Sequence, residues 1–114
     1  MAKYKGSNKI GIGGIGKLEA DIMSVAWKLN RPVTVRDVYE ELRSNRKIAY
    51  TTVMTVMNNL SEKKLLNQDK AATAYVYIPT ITNIEVATSI VENVIDKLLH
   101  GSAAPLASYF INKK

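Results

Sequence analysis

The stretch Ala49-Tyr50-Thr51-Thr52-Val53-Met54-Thr55-Val56-Met57-Asn58-Asn59-Leu60-Ser61-Glu62-Lys63-Lys64 carries two faces that ask for different surroundings. At about 100° per residue, Met57, Leu60 and the stem of Lys64 fall within roughly 40° of Val53, with Val56 beside them. Thr51, Thr55, Asn58 and Glu62 lie on the opposite side, with Thr52 and Asn59 toward one edge. The first face reads as a core stripe. The second is a row of short hydrogen-bonding side chains, drawn from residue types that form helices poorly. A solvated surface helix is one account of it. The other is a helix from Tyr50 to Lys64 that lies in the DNA major groove, touches base edges and ends on two lysines.

Charge elsewhere in the chain bears on that choice. The net charge is +6 over 114 residues. Residues 1–64 hold twelve Lys and Arg against six Asp and Glu, whereas residues 65–114 hold four of each. The whole excess therefore sits in the half that contains the two-faced helix, which points to a polyanion, with nucleic acid ahead of a membrane surface. No apolar run approaches the roughly 20 residues that span a bilayer, and no continuous apolar stretch at the N-terminus makes a signal peptide. With no cysteine there are no disulfides or thiolate metal sites, which fits a cytoplasmic location. His100 is the one histidine, so no metal site is expected, and no cofactor either. No carboxylate pair or Ser/His/Asp set stands in a plausible pocket, so an enzyme is not expected.

Around this stretch the order of elements is legible. Residues 1–16 are rich in Gly and Lys and read as a flexible basic arm. They contain Gly11-Ile12-Gly13-Gly14-Ile15-Gly16, with Asp37 further on, the form of a dinucleotide-binding turn. Such a turn needs a strand before it and a βαβ unit around it, and neither is evident. Leu18, Ile22, Val25, Ala26 and Leu29 recur at helical spacing, with Met23 and Trp27 widening the stripe. Trp27 reads as a core residue rather than a ligand-stacking one. Pro32 breaks this helix, and Pro32-Val33-Thr34 leaves room for a short extended segment. Thr34 and Asp37 form a capping box that opens a second helix, with Val35, Val38, Tyr39 and Leu42 inward. Ser44-Asn45-Arg46-Lys47 is a polar turn before the two-faced helix.

After it, Leu65 to Lys70 and Ala74 to Pro79 read as a β-hairpin with residues 70–74 at its tip. Thr82 and Glu85 then cap a helix reaching about His100, and Pro105 starts a short last helix. The fourth helix has apolar residues on two stripes, more than one face packed on a small domain requires. A second small core within the monomer would account for it; a dimer interface does so without exposing a large apolar patch. The expected fold is mainly α with a small β-hairpin: a winged helix-turn-helix domain over residues 17–80, then C-terminal dimerisation helices over 81–114. The expected interface residues are Ile84, Ala87, Ile90, Val91, Val94, Ile95, Leu98, Leu106 and Phe110.

Three segments, Leu18-Glu19-Ala20-Asp21-Ile22-Met23-Ser24-Val25-Ala26-Trp27, Thr34-Val35-Arg36-Asp37-Val38-Tyr39-Glu40-Glu41-Leu42 and Ala49-Tyr50-Thr51-Thr52-Val53-Met54-Thr55, resemble the penicillinase-repressor family. The likeness covers about residues 15–111. It implies a dimeric winged-helix repressor on palindromic operators, with the third helix in the major groove and the C-terminal helices at the dimer interface. Antibiotic-responsive members are cut by a sensor protease at an Asn-Phe bond, where this chain has Tyr109-Phe110. Copper-responsive members carry C-terminal cysteines, which this chain lacks, and it stops at Lys114 without the further helix of longer members. Neither induction route carries over, and a regulatory protease or an effector stays open as a further partner.

The expected function is sequence-specific binding to double-stranded DNA by a homodimer. Thr51, Thr52, Thr55, Asn58 and Asn59 would read bases; Arg46, Lys47, Lys63, Lys64 and Lys70 would contact phosphates. A sequence-independent architectural DNA-binding protein and a winged-helix protein-interaction module are the alternatives.

Overall fold

The computed structural model describes residues 15–71 and 73–113. Its elements are α1 (Lys17–Leu29), α2 (Val35–Arg43), α3 (Tyr50–Glu62), β1 (Leu66–Ala71), β2 (Ala74–Pro79), α4 (Asn83–Leu98) and α5 (Ala104–Asn112). This is the winged-helix order. The basic arm and the glycine motif fall almost wholly outside the described residues. Ile15, at the edge of that segment, packs against the core.

Local chemistry sets the helix starts. At α2, Thr34 Oγ1 accepts from the Asp37 N–H at 3.1 Å, and Asp37 Oδ2 accepts from the Thr34 N–H at 3.0 Å. Thr82 and Glu85 repeat the arrangement at α4, at 3.1 and 2.9 Å. Each pair satisfies two first-turn donors that the helix itself leaves unbonded.

The strands pair antiparallel from Leu66↔Pro79 to Ala71↔Ala74. Pairing continues through Lys70↔Tyr75 to Ala71↔Ala74, so the strands run further toward the tip than the five-residue tip the sequence suggested. The short extended segment after Pro32 joins this sheet: Val33 and Tyr77 exchange both backbone bonds, N–H of Val33 to O of Tyr77 at 3.0 Å and N–H of Tyr77 to O of Val33 at 2.7 Å. This bridge anchors the wing to the entry of α2.

One apolar core lies between the three N-terminal helices and the wing. Ile22, Met23 and Ala26 of α1, Val38 of α2 and Val53, Met57 and Leu60 of α3 have no exposed surface, and Leu65, Leu66 and Tyr77 are buried beside them. Ile81 and Val86 close the same core from the start of α4. The indole Nε1 of Trp27 donates to the Ile81 carbonyl at 2.9 Å, so Trp27 packs on the core and fixes the connection into α4.

Two helix ends differ from the sequence expectation. α3 stops at Glu62, and Lys64 is exposed with φ 69° instead of lying on the core stripe. The Leu65 N–H reaches the Leu60 carbonyl at 2.9 Å and the Lys64 N–H reaches Ser61 at 3.0 Å. Those two bonds, with Leu60 and Leu65 both buried, form a Schellman ending that turns the chain into β1. α4 ends at Leu98 rather than His100, because His100 (φ 52°) and Gly101 (φ 85°) are both left-handed.

Candidate nucleic-acid interface

The buried stripe of α3 fixes which way its other face points. With Val53, Met57 and Leu60 locked inward, Thr51, Thr52, Thr55, Asn58 and Asn59 are all exposed along one helix. The fold thus brings together the five residues expected to read bases. Tyr50, 39% exposed at the first turn, joins them at the edge. It stacks edge-on against Tyr39 at 5.4 Å, with the Arg36 guanidinium 5.8 Å from its ring centre. A cation over an aromatic face is attracted by the ring quadrupole, so α2 steadies the start of α3.

Asn58 differs from the other four. Its Oδ1 accepts from the Tyr77 hydroxyl at 2.9 Å and from Gln68 Nε2 at 3.2 Å, and Gln68 Nε2 also donates to the Tyr77 hydroxyl at 2.8 Å. The sequence carried no signal for this ring, since its members come from α3, β1 and β2 and meet only when the wing folds against the helix.

The cations divide into two groups. Arg46 Nη2 lies 2.6 Å from Asp21, and Lys63 Nζ lies 2.6 Å from Glu19, so α1 carboxylates hold the basic residues at both ends of α3. Lys47 and Lys64 are exposed and make no ion pair with a described residue, and Lys70 on the wing sits 5.7 Å from the Tyr75 ring centre.

These pairs shift the acids. The Arg46 bond is the main reason the Asp21 carboxyl lies below its ordinary range. Burial alone would raise Glu19; bonds from Lys63 and the Gly16 N–H, with the Lys63 charge, outweigh it and hold Glu19 low. Asp37 is lowered chiefly by the Thr34 N–H, then by Arg31 at 3.0 Å.

Helices α4 and α5 present apolar surface. Ile84 is 68% exposed, Leu98 59% and Phe110 63%, and Ala87 and Val91 are exposed as well. Val94, Ile95 and Leu106 are half-buried. Ile90, expected on the same outer surface, packs instead against the winged-helix core, one turn beyond the buried Val86. Among the described residues no helix is long and apolar enough to cross a membrane, and no cluster of acids or histidine could hold a metal ion.

A sequence model of the penicillinase repressor family matches residues 15–114, nearly the whole chain and all of the described fold. The chain belongs to the penicillinase-repressor family. Transcriptional regulator BlaI of Mycobacterium tuberculosis, in strains CDC 1551 and H37Rv alike, is 43% identical over 65 residues, 57% of this chain and 47% of its own length. The chain thus spans about half the length of the curated relatives it matches. Among solved structures, the DNA-binding domain of the repressor BlaI superposes with a TM-score of 0.55 at 28% identity, over 62% of this chain and 85% of that one. Bacillus licheniformis BlaI, solved as a monomer in complex with the blaP half-operator, gives 0.54 at 28% identity, over 65% and 89%. Within the penicillinase-repressor family, then, the likeness to these solved structures spans about two thirds of the chain.

Proposed function

We propose that this chain is a sequence-specific DNA-binding transcriptional repressor that acts as a homodimer, with α3 in the major groove of a pseudo-palindromic operator. One observation carries the reading: the Thr51, Thr52, Thr55, Asn58 and Asn59 face is exposed on a helix whose opposite face is wholly buried, in a member of the penicillinase-repressor family. The B. licheniformis BlaI complex with its half-operator supports it.

In this mechanism Lys47, Lys64 and Lys70, with Arg46 and Lys63, set register and affinity through phosphates, while the α3 face carries sequence information. Asn59 pairs bidentately with adenine, and threonine methyls pack on thymine methyls. Repression follows from occupying promoter DNA in the cytoplasm. The exposed apolar residues of α4 and α5 form the dimer seam, and two-fold symmetry then places half-sites about one helical turn, or a multiple, apart.

Selection of binding sites from random DNA tests the reading. The expected result is a pseudo-palindrome whose preference relaxes at one position per half-site in Asn59→Ala, by about 1–3 kcal/mol of discrimination. Binding that is salt-dependent but indifferent to sequence would replace it with an architectural role. For the seam, Val91→Asp with Val94→Asp should sediment as monomer and bind the operator much more weakly. A wild-type chain already monomeric at working concentrations would end that part.

A further inference from the structure

Asn58 stands on the exposed face of α3, yet its side-chain oxygen is held from within the fold. Tyr77 O–H and Gln68 Nε2 both donate to Oδ1, at 2.9 and 3.2 Å, and the Gln68 to Tyr77 bond at 2.8 Å closes a three-membered ring. The ring is rigid for reasons outside it. Tyr77 is 2% exposed, and its backbone N–H and carbonyl both face Val33. Its pairing with Gln68 across the hairpin is therefore of the non-hydrogen-bonded kind, in which facing side chains lie closest. The bridge fixes the backbone from which the phenol projects, and burial holds the ring itself, so the phenol cannot swing away without opening the core.

The geometry points to Tyr77 and Gln68 as positioning residues for DNA reading. This inference rests on the reading of α3 as the major-groove helix. An asparagine recognises adenine by using both halves of its amide, Oδ1 accepting from N6 and Nδ2 donating to N7. At Asn58 both lone pairs of Oδ1 are engaged within the protein, while Nδ2 makes no bond to a described residue. Asn58 thus presents donors only, suited to N7 of either purine, guanine O6, thymine O4 or a phosphate oxygen, and without an acceptor for N6–H it does not select adenine over guanine. Asn59, one residue on and outside the ring, keeps both halves of its amide. Two adjacent asparagines on one helix are given different reading roles by two wing residues that touch no base.

The experiment compares sites selected from random duplex DNA by the full chain as wild type, as Tyr77→Phe with Gln68→Ala, and as Asn58→Ala. Affinity for an unselected duplex is measured at the same salt, and thermal unfolding confirms that each variant folds. Tyr77→Phe keeps the ring volume and Gln68 is exposed; if the double variant does not fold, Gln68→Ala alone is carried through the same series. The expected result is that freeing Oδ1 raises adenine preference about tenfold at one position per half-site, with unselected binding within twofold of wild type. Asn58→Ala should lose discrimination at that position, and adding the two wing changes to it should alter nothing further. If the wing variant selects the same site as wild type while Asn58→Ala shifts it, the positioning role is overturned and the proposed function stands. If Asn58→Ala shifts nothing while Asn59→Ala does, Asn58 reads no base and the inference falls alone. A wild-type chain that selects no sequence overturns both.

Discussion

The Lys63 ammonium lies 2.6 Å from a carboxylate oxygen of Glu19, joining the end of α3 to the first turn of α1. At the other end of α3, Arg46 and Asp21 make the matching pair, also at 2.6 Å. Both cations are neutralised before any DNA arrives. A phosphate that takes Lys63 leaves Glu19 behind as an uncompensated negative charge facing the same backbone. Each phosphate contact by a free cation contributes about 0.9 to the slope of log K against log salt. Lys64→Ala and Lys47→Ala should therefore flatten that slope by about one each, and Lys63→Ala and Arg46→Ala by clearly less. Fluorescence titrations of one operator duplex across salt concentrations measure this. Equal flattening in all four would show that Lys63 and Arg46 exchange their carboxylates for phosphates completely.

Acid should unfold this chain through the same pairs. Glu19, Asp21 and Asp37 all sit below their ordinary values in the folded state, Asp37 chiefly because it accepts from the Thr34 N–H. A carboxyl held low in the fold adds stability that is complete above the unfolded-state value and is lost as pH falls through the folded one. Stability should be flat at neutral pH and drop on entering and passing below the ordinary carboxylate range. Asp37→Asn should shrink that drop and, by weakening the capping box, lower stability at pH 7 by about 1 kcal/mol. Urea unfolding midpoints from pH 7 downward check both; an Asp37→Asn curve parallel to wild type would refute the assignment.

Lys64 occupies the left-handed position of a Schellman ending, where glycine is the usual residue. An L side chain there costs roughly 1–2 kcal/mol, part of which glycine gives back through the freedom of the unfolded chain. Lys64→Gly should stabilise the fold by about 0.5–1 kcal/mol while weakening DNA binding alike on all sequences. Stability and affinity would move in opposite directions in one variant. Calorimetry beside operator titration would show it, and a lower melting temperature would contradict the backbone argument.

The two faces of α3 should separate cleanly under mutation. Leu60 has no exposed surface, so Leu60→Ala removes core volume and should cost about 2–5 kcal/mol. Thr55 is exposed, so Thr55→Ala should change stability by no more than about 0.5 kcal/mol. Operator affinity should fall in Thr55→Ala without any loss of fold, as circular dichroism and titration together would record. Comparable destabilisation by the two changes would mean that the face assignment is wrong.

Sequence alone determined much of this molecule. Helical spacing picked the inward residues of α1, α2 and α3, because a 3.6-residue repeat with apolar positions three and four apart has one buried face. The Thr34 and Thr82 capping boxes are local, four-residue devices, and both formed where their spacing put them. The Thr/Asn face and the charge of the N-terminal half pointed to a polyanion, and three quoted segments pointed to the family. Tertiary structure decided what depends on partners distant in the chain. Period-two alternation puts Tyr75 and Tyr77 on one face of β2, yet Tyr75 is 52% exposed and Tyr77 is buried, since the strand runs past the edge of the core. The turn into β1 ended α3 two residues early and moved Lys64 off the core stripe. Pairing of Lys63 with Glu19, 44 residues away, and of Asn58 with Tyr77, 19 away, gave chemically similar neighbours different surroundings. A helix repeat states which way a side chain points; only the folded wing and α1 state what it meets there.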